Sequence, residues 1–387
     1  MRPMSKPVLM FAAVSFLNEV SAQMVAPLIP ILLTSVLAAG PIVLGLIEGL
    51  ADAVAAMLKL WAGRRADIKP LQRKPMVVLG YGLAAFSRPL IALAGSWVTL
   101  AALRSADRLG KGIRGAPRDA ILADATPSDQ RGQMYGLNRA MDYAGAVVGT
   151  LLAAAALSWT DLSITQVIAL SAIPGFMVLI VLMLLPVPAR IASAKTSAFT
   201  ARPPLSWHAV PPPLQQYLQV LALFCFAKAS EVFIILRGHE LGMQTVTLLL
   251  LWAWLAALQT LTAYLGAPLA DRMSKHSLTL FNWITLAVGY AGLAMAGTAT
   301  ALWTAVSVYG LLSGISEGVE RSLVSELAPE AEKGTAFGWY YMVIGIAAIP
   351  SGLLFGFLWS LAGPGLAFGM AAVVALISAV WLQSRRL

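Results

Sequence analysis

The first apolar segment carries Ser15, Asn18, Glu19 and Gln23 at spacings of three and four, so a helix places them on one face. Glu19 then lies about 16 Å along that helix. Removed from water, a carboxylate loses part of what stabilises its charged form and can exchange a proton near neutral pH. It can equally be held in a permanent ion pair by a base of another segment. Further on, Arg104, Arg108, Lys111 and Arg118 fall on one helical face, with Arg114 beside them and Asp107 one turn from Lys111. Asp107 and Asp119 cannot balance so many cations, so either carboxylates from other segments or an anionic ligand must do so. Arg108 and Lys111 stand nearest the middle of the segment and are expected to touch a ligand. Arg114, Arg118 and Asp119 stand nearer its end, as gate or latch residues would. Later segments offer Lys228 with Glu231, and Ser313, Glu317, Glu320 and Arg321, with Glu317 and Arg321 at an i,i+4 pairing distance. Glu48 with Asp52, Arg88 beside Pro89, and Arg139 with Asp142 read as internal pairings.

The elements that position these residues are set by composition. Of 387 residues, 59% are hydrophobic and 12% charged, against about a quarter charged in soluble domains. Apolar stretches of 18 or more residues recur, each long enough for a hydrocarbon core about 30 Å thick. Spanning segments must satisfy their own backbone hydrogen bonds, which makes them helices. The expected spans are 8–37, 41–62, 76–95, 97–122, 132–157, 163–187, 215–237, 243–269, 277–297, 301–325, 334–359 and 364–383. In that setting each ionisable group inside a span costs about 2.5–3.5 kcal/mol even on lenient insertion scales, and so marks a pathway by default. A soluble enzyme is excluded.

The net charge of +9 reads as topology rather than as a nucleic-acid footprint. Arg64, Arg65, Lys69, Arg73 and Lys74 share one loop, Arg190, Lys195 and Arg202 another, and Arg272 and Lys275 a third. Arg2 and Lys6 open the chain, Arg385 and Arg386 close it, and the loops near 39–41, 95–97 and 298–300 carry no charge. This alternation places both termini in the cytoplasm. The lone Cys225 has no disulfide partner, the three histidines are scattered, and the first apolar segment runs on too far for a cleavable signal peptide. No cofactor is expected.

The segment 188–213, rich in Pro and basic residues, reads as a cytoplasmic linker between an N-terminal six-helix bundle (1–187) and a C-terminal one (214–387). The halves repeat. Pro127, Arg131-Gly132 and Tyr135-Gly136 recur without a gap as Pro329, Lys333-Gly334 and Phe337-Gly338, about 200 residues on. The same alignment sets Arg118-Asp119 against Glu320-Arg321, with the signs exchanged. Parallel six-span halves are a recognised design for secondary transporters, with the site near the midplane.

At this point the chain resembles the major facilitator superfamily over its whole length. Gly63-Arg-Arg-Ala66-Asp67, followed by Arg73-Lys74, is similar to that family's signature loop, and Ala267-Pro-Leu-Ala270-Asp271-Arg272 echoes it in the second half. Arg108-Leu-Gly-Lys-Gly112 is similar to the family's span-4 arginine motif, and Gly145 and Gly149 have the spacing of its antiporter motif. The departures are Ile68 after the loop aspartate, Pro70 in place of glycine, Ala267 where the echo should open with glycine, and Thr150 where the antiporter motif has proline. The resemblance implies an all-α membrane protein with twelve transmembrane helices in two pseudo-symmetric six-helix bundles, and spans 1, 4, 7 and 10 lining a central cavity.

From these readings the expected function is a proton-coupled secondary transporter of a small anionic organic solute, working by alternating access in a bacterial inner membrane, with export favoured. Alternatives are an exporter of cationic drug-like compounds and a lysolipid or lipid flippase. Expected ligand contacts are Asn18, Glu19, Gln23, Arg108, Lys111, Lys228, Glu231, Glu317 and Arg321, with Glu19, Glu231 and Glu317 carrying protons. Gly63, Asp67, Arg73, Arg114, Arg118, Asp119, Asp271, Arg272 and Glu320 are expected as gate or latch, although the loop charges can also serve topology alone. The chain lacks a Gly-x-x-x-x-Gly-Lys-Ser/Thr loop, which argues against ATP as its energy source. Expected partners are membrane lipid, a small-molecule substrate and protons, with no nucleic acid; the protein is expected to be a monomer.

Overall fold

The computed structural model describes residues 6–68, 70–124, 126, 131–185, 207, 210–228, 230–272, 274–313, 319–328 and 333–385. The linker expected at 188–213 therefore lies almost wholly outside the described residues. The described chain is helical throughout and contains no strand. In order, α1 runs Lys6–Val36, α2 Pro41–Ile68, α3 Arg73–Leu90, α4 Trp97–Asp124 and α5 Arg131–Trp159. Then come α6a Ile164–Leu170, α6b Ala172–Met183, α7a Pro212–Phe224, α7b Val232–Glu240, α8 Thr245–Arg272 and α9 Lys275–Met295. The chain ends with α10a Ala299–Ser313, α10b Val319–Leu327, α11 Lys333–Ala362 and α12 Pro364–Gln383. Each expected span has its helix.

Nine of these helices, counted among the described residues, are long and apolar enough to cross a membrane unaided. The spans that fall short are α4, which carries the cationic run, and α7 and α10, described as two pieces each. The nine apolar helices carry apolar surface on their outer faces. Leu93, Trp159, Met183, Leu184, Met295 and Val380 are all largely exposed, which suits acyl chains and would be a liability in water. Backbone breaks have local causes. Pro27 and Pro30 each remove an amide donor, and α1 passes through a 3-10 turn at Ala26–Leu28 and ends in a π-helical stretch, Leu32–Val36. Gly363 (φ 82°) makes the turn between α11 and α12, in a left-handed conformation that costs glycine little.

The chain divides into two compact units: Met1–Leu32 with Val54–Arg202, and Leu33–Ala53 with Pro203–Leu387. Within the first, α1 packs on α5 and α6b, and α3 on α4 and α6b. Within the second, α7a packs on α11 and α12, and α9 on α10a and α12. The same pairings recur six helices later, which is the structural counterpart of the sequence repeat. Close approach is bought by glycine: a Cβ on Gly80 of α3 would come 2.6 Å from the Gly110 carbonyl oxygen of α4, and one on Gly145 of α5 2.5 Å from the Phe16 carbonyl oxygen of α1. The core of the second unit is aromatic. Phe224 and Trp283 stack at 4.1 Å between ring centroids, with Tyr217 on the same indole at 6.4 Å.

Candidate functional site

In the first unit, the tight α3–α4 contact brings guanidinium groups into the bundle interior, and the structure supplies Arg88, Arg104, Arg114 and Arg118 with acceptors. Arg88 donates from Nε to Asp107 Oδ1 at 2.8 Å, and from Nη1 to the Asn18 carbonyl at 2.9 Å and Oδ1 at 3.1 Å. Arg104 Nη1 stands 3.7 Å from the other Asp107 oxygen. Arg114 donates to the Gly80 carbonyl and to Asn18 Oδ1, with its Cζ 4.4 Å from the Tyr81 ring centroid. Arg118 pairs with Asp119 at 3.1 Å and donates to Ser15 Oγ, which in turn donates to Asn138 Oδ1. Asn18, expected as a ligand contact, is thus buried and engaged by two arginines.

Glu19 is half-buried and accepts from Asn18 Nδ2 at 3.4 Å. Lys111 is exposed, although it lies in the middle of α4, about 20 Å from either end at 1.5 Å per residue. It makes no hydrogen bond or ion pair with a described residue, and its electrostatic neighbours are Arg108, Glu19, Lys59 and Arg114. Asp142 shares that neighbourhood with Glu19 and Lys111, and stands 3.9 Å from Arg139. An exposed ammonium at this depth has to face water or a ligand. Arg108 and Gln23 are half-buried, each with contacts of its own.

Among the described residues, the second unit holds buried carboxylates at Glu320 and Glu48 and a half-buried one at Glu231. Helix α7 is interrupted between Phe224 and Val232, and Lys228 and Glu231 lie at that break. Lys228 Nζ lies 2.7 Å from Glu320 Oε2 on α10b and 5.4 Å from the Phe224 ring centroid. Glu320 also accepts from Tyr340 Oη at 3.1 Å and Trp283 Nε1 at 3.4 Å. Glu320 was expected beside Arg321 as a latch; instead it points into the bundle, and Arg321 is exposed. Glu231 accepts from Gln259 Nε2 at 2.7 Å and Tyr309 Oη at 3.2 Å, and Gln259 also reaches Ser313 at 3.2 Å. Glu48 is buried and accepts from Ser230 Oγ at 3.3 Å.

Trp283, Tyr340, Gln259 and Tyr309 went unremarked in the sequence. Gln259 left a signal, as the single side-chain amide in the stretch 245–263. Glu317 lies outside the described residues, as do the side chains of Asp67, Asp271 and Arg272. Gly63 is described, with Ala116 on α4 as the nearest neighbour to a Cβ there, and Arg73 opens α3.

Helices built to cross a bilayer, braced internally by ion pairs and carrying a charged side chain at mid-span, define a polytopic membrane protein. The chain belongs to the major facilitator superfamily, whose family model matches residues 11–352. It is 30% identical over 387 residues to an uncharacterised MFS-type transporter of Methanocaldococcus jannaschii, covering 98% of this chain and 95% of that one. A shorter match, 34% identical over 129 residues and covering 33% of this chain and 31% of the relative, links it to the multidrug resistance protein MdtH of Yersinia pestis. Among solved structures, the nucleoside transporter NupG superposes with a TM-score of 0.77 at 14% identity, covering 98% of this chain and 99% of that one.

Proposed function

We propose that the protein is a proton-coupled secondary transporter that moves a small anionic organic solute across a bacterial inner membrane by alternating access, in the export direction, with both termini in the cytoplasm. The observation that carries this reading is Lys111, an exposed cation at the middle of a helix whose stretch from Arg104 to Asp119 holds five cations and two carboxylates. Arg88, Arg104, Arg114 and Arg118 have acceptors of their own, which leaves Lys111 as an ammonium on offer to a carboxylate or phosphate. Glu19, half-buried and within electrostatic reach of Lys111, supplies a carboxylate that can carry a proton.

Thermal unfolding of the purified protein against a ligand panel tests this, because a ligand that prefers the folded state raises the melting temperature by mass action. Citrate, gluconate or glucose 6-phosphate should stabilise it. Stabilisation by tetraphenylphosphonium in their place would overturn the anionic reading. It would favour a second one, export of cationic drug-like compounds, towards which the partial match to a multidrug resistance protein leans. For coupling, Glu19→Gln should abolish proton-driven accumulation of the stabilising solute while leaving solute exchange partly intact. Undiminished accumulation in that variant would remove Glu19 from the coupling role.

A further inference from the structure

The ends of α1, α7b, α9 and α11 meet at one face of the second unit, and the charge of that face is confined to a single turn. Over 33–47, 241–270, 277–316 and 334–384 the sequence holds no Asp, Glu, Lys, Arg or His. The end of α1, the start of α2 and the turns α7–α8, α9–α10 and α11–α12 therefore carry none. Against that background Arg237, His239 and Glu240 stand together at the end of α7b. Each ties α7b to a different helix. Arg237 donates from Nε at 3.1 Å and from Nη2 at 2.9 Å to the Ala296 carbonyl, at the C-cap of α9. Glu240 accepts from Trp359 Nε1 of α11 at 2.7 Å. His239 Nε2 meets Ser35 Oγ, on the last turn of α1, at 3.1 Å.

The first two ties lie within the second sequence half, and Arg237 also pairs with Glu240 at 3.7 Å. The third reaches the first half. From that half the second unit takes only residues 33–53, a helical hairpin made of the end of α1 and the first part of α2. The changeover from one unit to the other falls at the π-helical stretch Leu32–Val36, just past Pro27 and Pro30. Such stretches are rare in helices and frequent at functional sites. The α2 arm of the hairpin is held by glycine packing against the backbone of α11 and by Glu48, which accepts from Ser230. The α1 arm is met by His239, whose one hydrogen bond among the described residues is the one to Ser35. Ser35 is exposed and the imidazole half-buried, so water delivers protons to the pair directly.

We infer that His239 is a pH-operated catch: its protonation holds the hairpin 33–53 to α7b, and its deprotonation loosens the hairpin. The catch goes beyond the transport reading above and requires neither the solute nor Glu19. In its neutral form the ring shares one hydrogen bond with the Ser35 hydroxyl, in a direction set by the tautomer. As imidazolium it donates from both nitrogens, and Ser35 Oγ accepts a charge-assisted bond, roughly twice as strong as a neutral one. The carbonyls at the end of α7b favour the same charge. The charged groups beside it on its own helix are Glu240, which supports the cation, and Arg237, which opposes it and is itself paired with Glu240. The neighbouring ends of α1, α2, α8, α9, α10a, α11 and α12 bring no charged group. The buried phenols Tyr290 of α9 and Tyr309 of α10a stay neutral below about pH 8. Histidine changes charge between about pH 5 and 8. The protonated ring makes the stronger bond, so the catch is closed at the acid end of that range and opens as pH rises through it. With the termini in the cytoplasm, as proposed above, the catch faces the far side of the membrane, where acid keeps the hairpin fastened.

Pulsed electron paramagnetic resonance tests the catch without any solute. Spin labels go on Gly40→Cys at the hairpin tip and Gly297→Cys between α9 and α10a, two positions where a Cβ meets nothing within 4 Å. The buried Cys225 is replaced by alanine. In detergent both faces share one pH, so the result does not depend on orientation. The ratio of the shorter to the longer label separation should be about threefold higher at about pH 5.5 than at about pH 8, since the protonated ring makes the stronger bond. His239→Gln, which keeps a donor and an acceptor but no titrating ring, should flatten that dependence. So should Ser35→Ala, which keeps the ring and removes the acceptor. Glu240→Gln, whose carboxylate is not part of the catch, should retain it. An unchanged wild-type ratio would overturn the catch, and so would a His239→Gln ratio that still follows pH. A second reading needs no label: Ser35→Ala should lower the melting temperature more at about pH 5.5 than at about pH 8. Equal lowering at both values would likewise overturn the catch. Failure of the anionic reading in the ligand panel changes none of these outcomes.

Discussion

Asp107→Asn should destabilise the protein by about 3–5 kcal/mol, the range for removing one partner of a buried ion pair. Asp107 is 5% exposed and faces Arg88, itself 4% exposed, at 2.8 Å, with Arg104 at 3.7 Å on its other oxygen. The asparagine keeps the shape and can still accept a hydrogen bond, so the loss is of charge. Arg88 remains, out of water and without the carboxylate that faces it. The effect reaches past α3 and α4, because the same Arg88 holds the Asn18 carbonyl and side chain of α1. Thermal unfolding in detergent measures it. The double variant Arg88→Gln with Asp107→Asn should recover part of the loss, since removing both members of a buried pair is far cheaper than removing one. A single variant within about 0.5 kcal/mol of wild type, the ordinary scatter of surface substitutions, would mean that Asp107 does not anchor these arginines.

The spans were legible because a bilayer imposes a length and a polarity that few other environments share, and each of the twelve expected segments has its helix. The internal pairing of Arg88 was legible as well, although its partner was not. Sequence spacing sets Asp107 one turn from Lys111; in the structure Asp107 turns towards Arg88 and Arg104, and Lys111 is left open. Spacing reports neighbours along one helix and is blind to what the next helix brings. The same blindness explains Glu320. Alignment of the halves pairs it with the adjacent Arg321, as Arg118 does pair with Asp119, but a residue from the break in α7 reaches it first. That break carries no proline or paired glycine, only Cys225 to Ser230, so a continuous span was the natural reading. The polar edges of Trp283 and Tyr340 acquire meaning only once a carboxylate is found against them.

Gly45→Val should cost about 1–3 kcal/mol, the range for overpacking a fitted interior, and the sign is informative because helix propensity points the other way. Glycine is the poorer helix former by a few tenths of a kcal/mol or more, so an exposed substitution at this point of α2 would stabilise it. Gly45 is not exposed to that logic. A Cβ there overlaps the Gly352 carbonyl oxygen of α11, one on Gly49 comes 2.6 Å from the Ala348 carbonyl oxygen, and one on Gly356 meets the carbonyl of Pro41. Pro41, Gly45 and Gly49 face Ala348, Gly352 and Gly356, a four-residue step on both helices, as close small-residue packing requires. The obstructing atoms are backbone, so no rotamer change relieves them and the helices must part. Gly82→Ala in α3, where a Cβ meets nothing within 4 Å, is the matched control and should melt at or above wild type. If both variants rise together, propensity governs Gly45 too, and α2 does not lie against α11 at this distance.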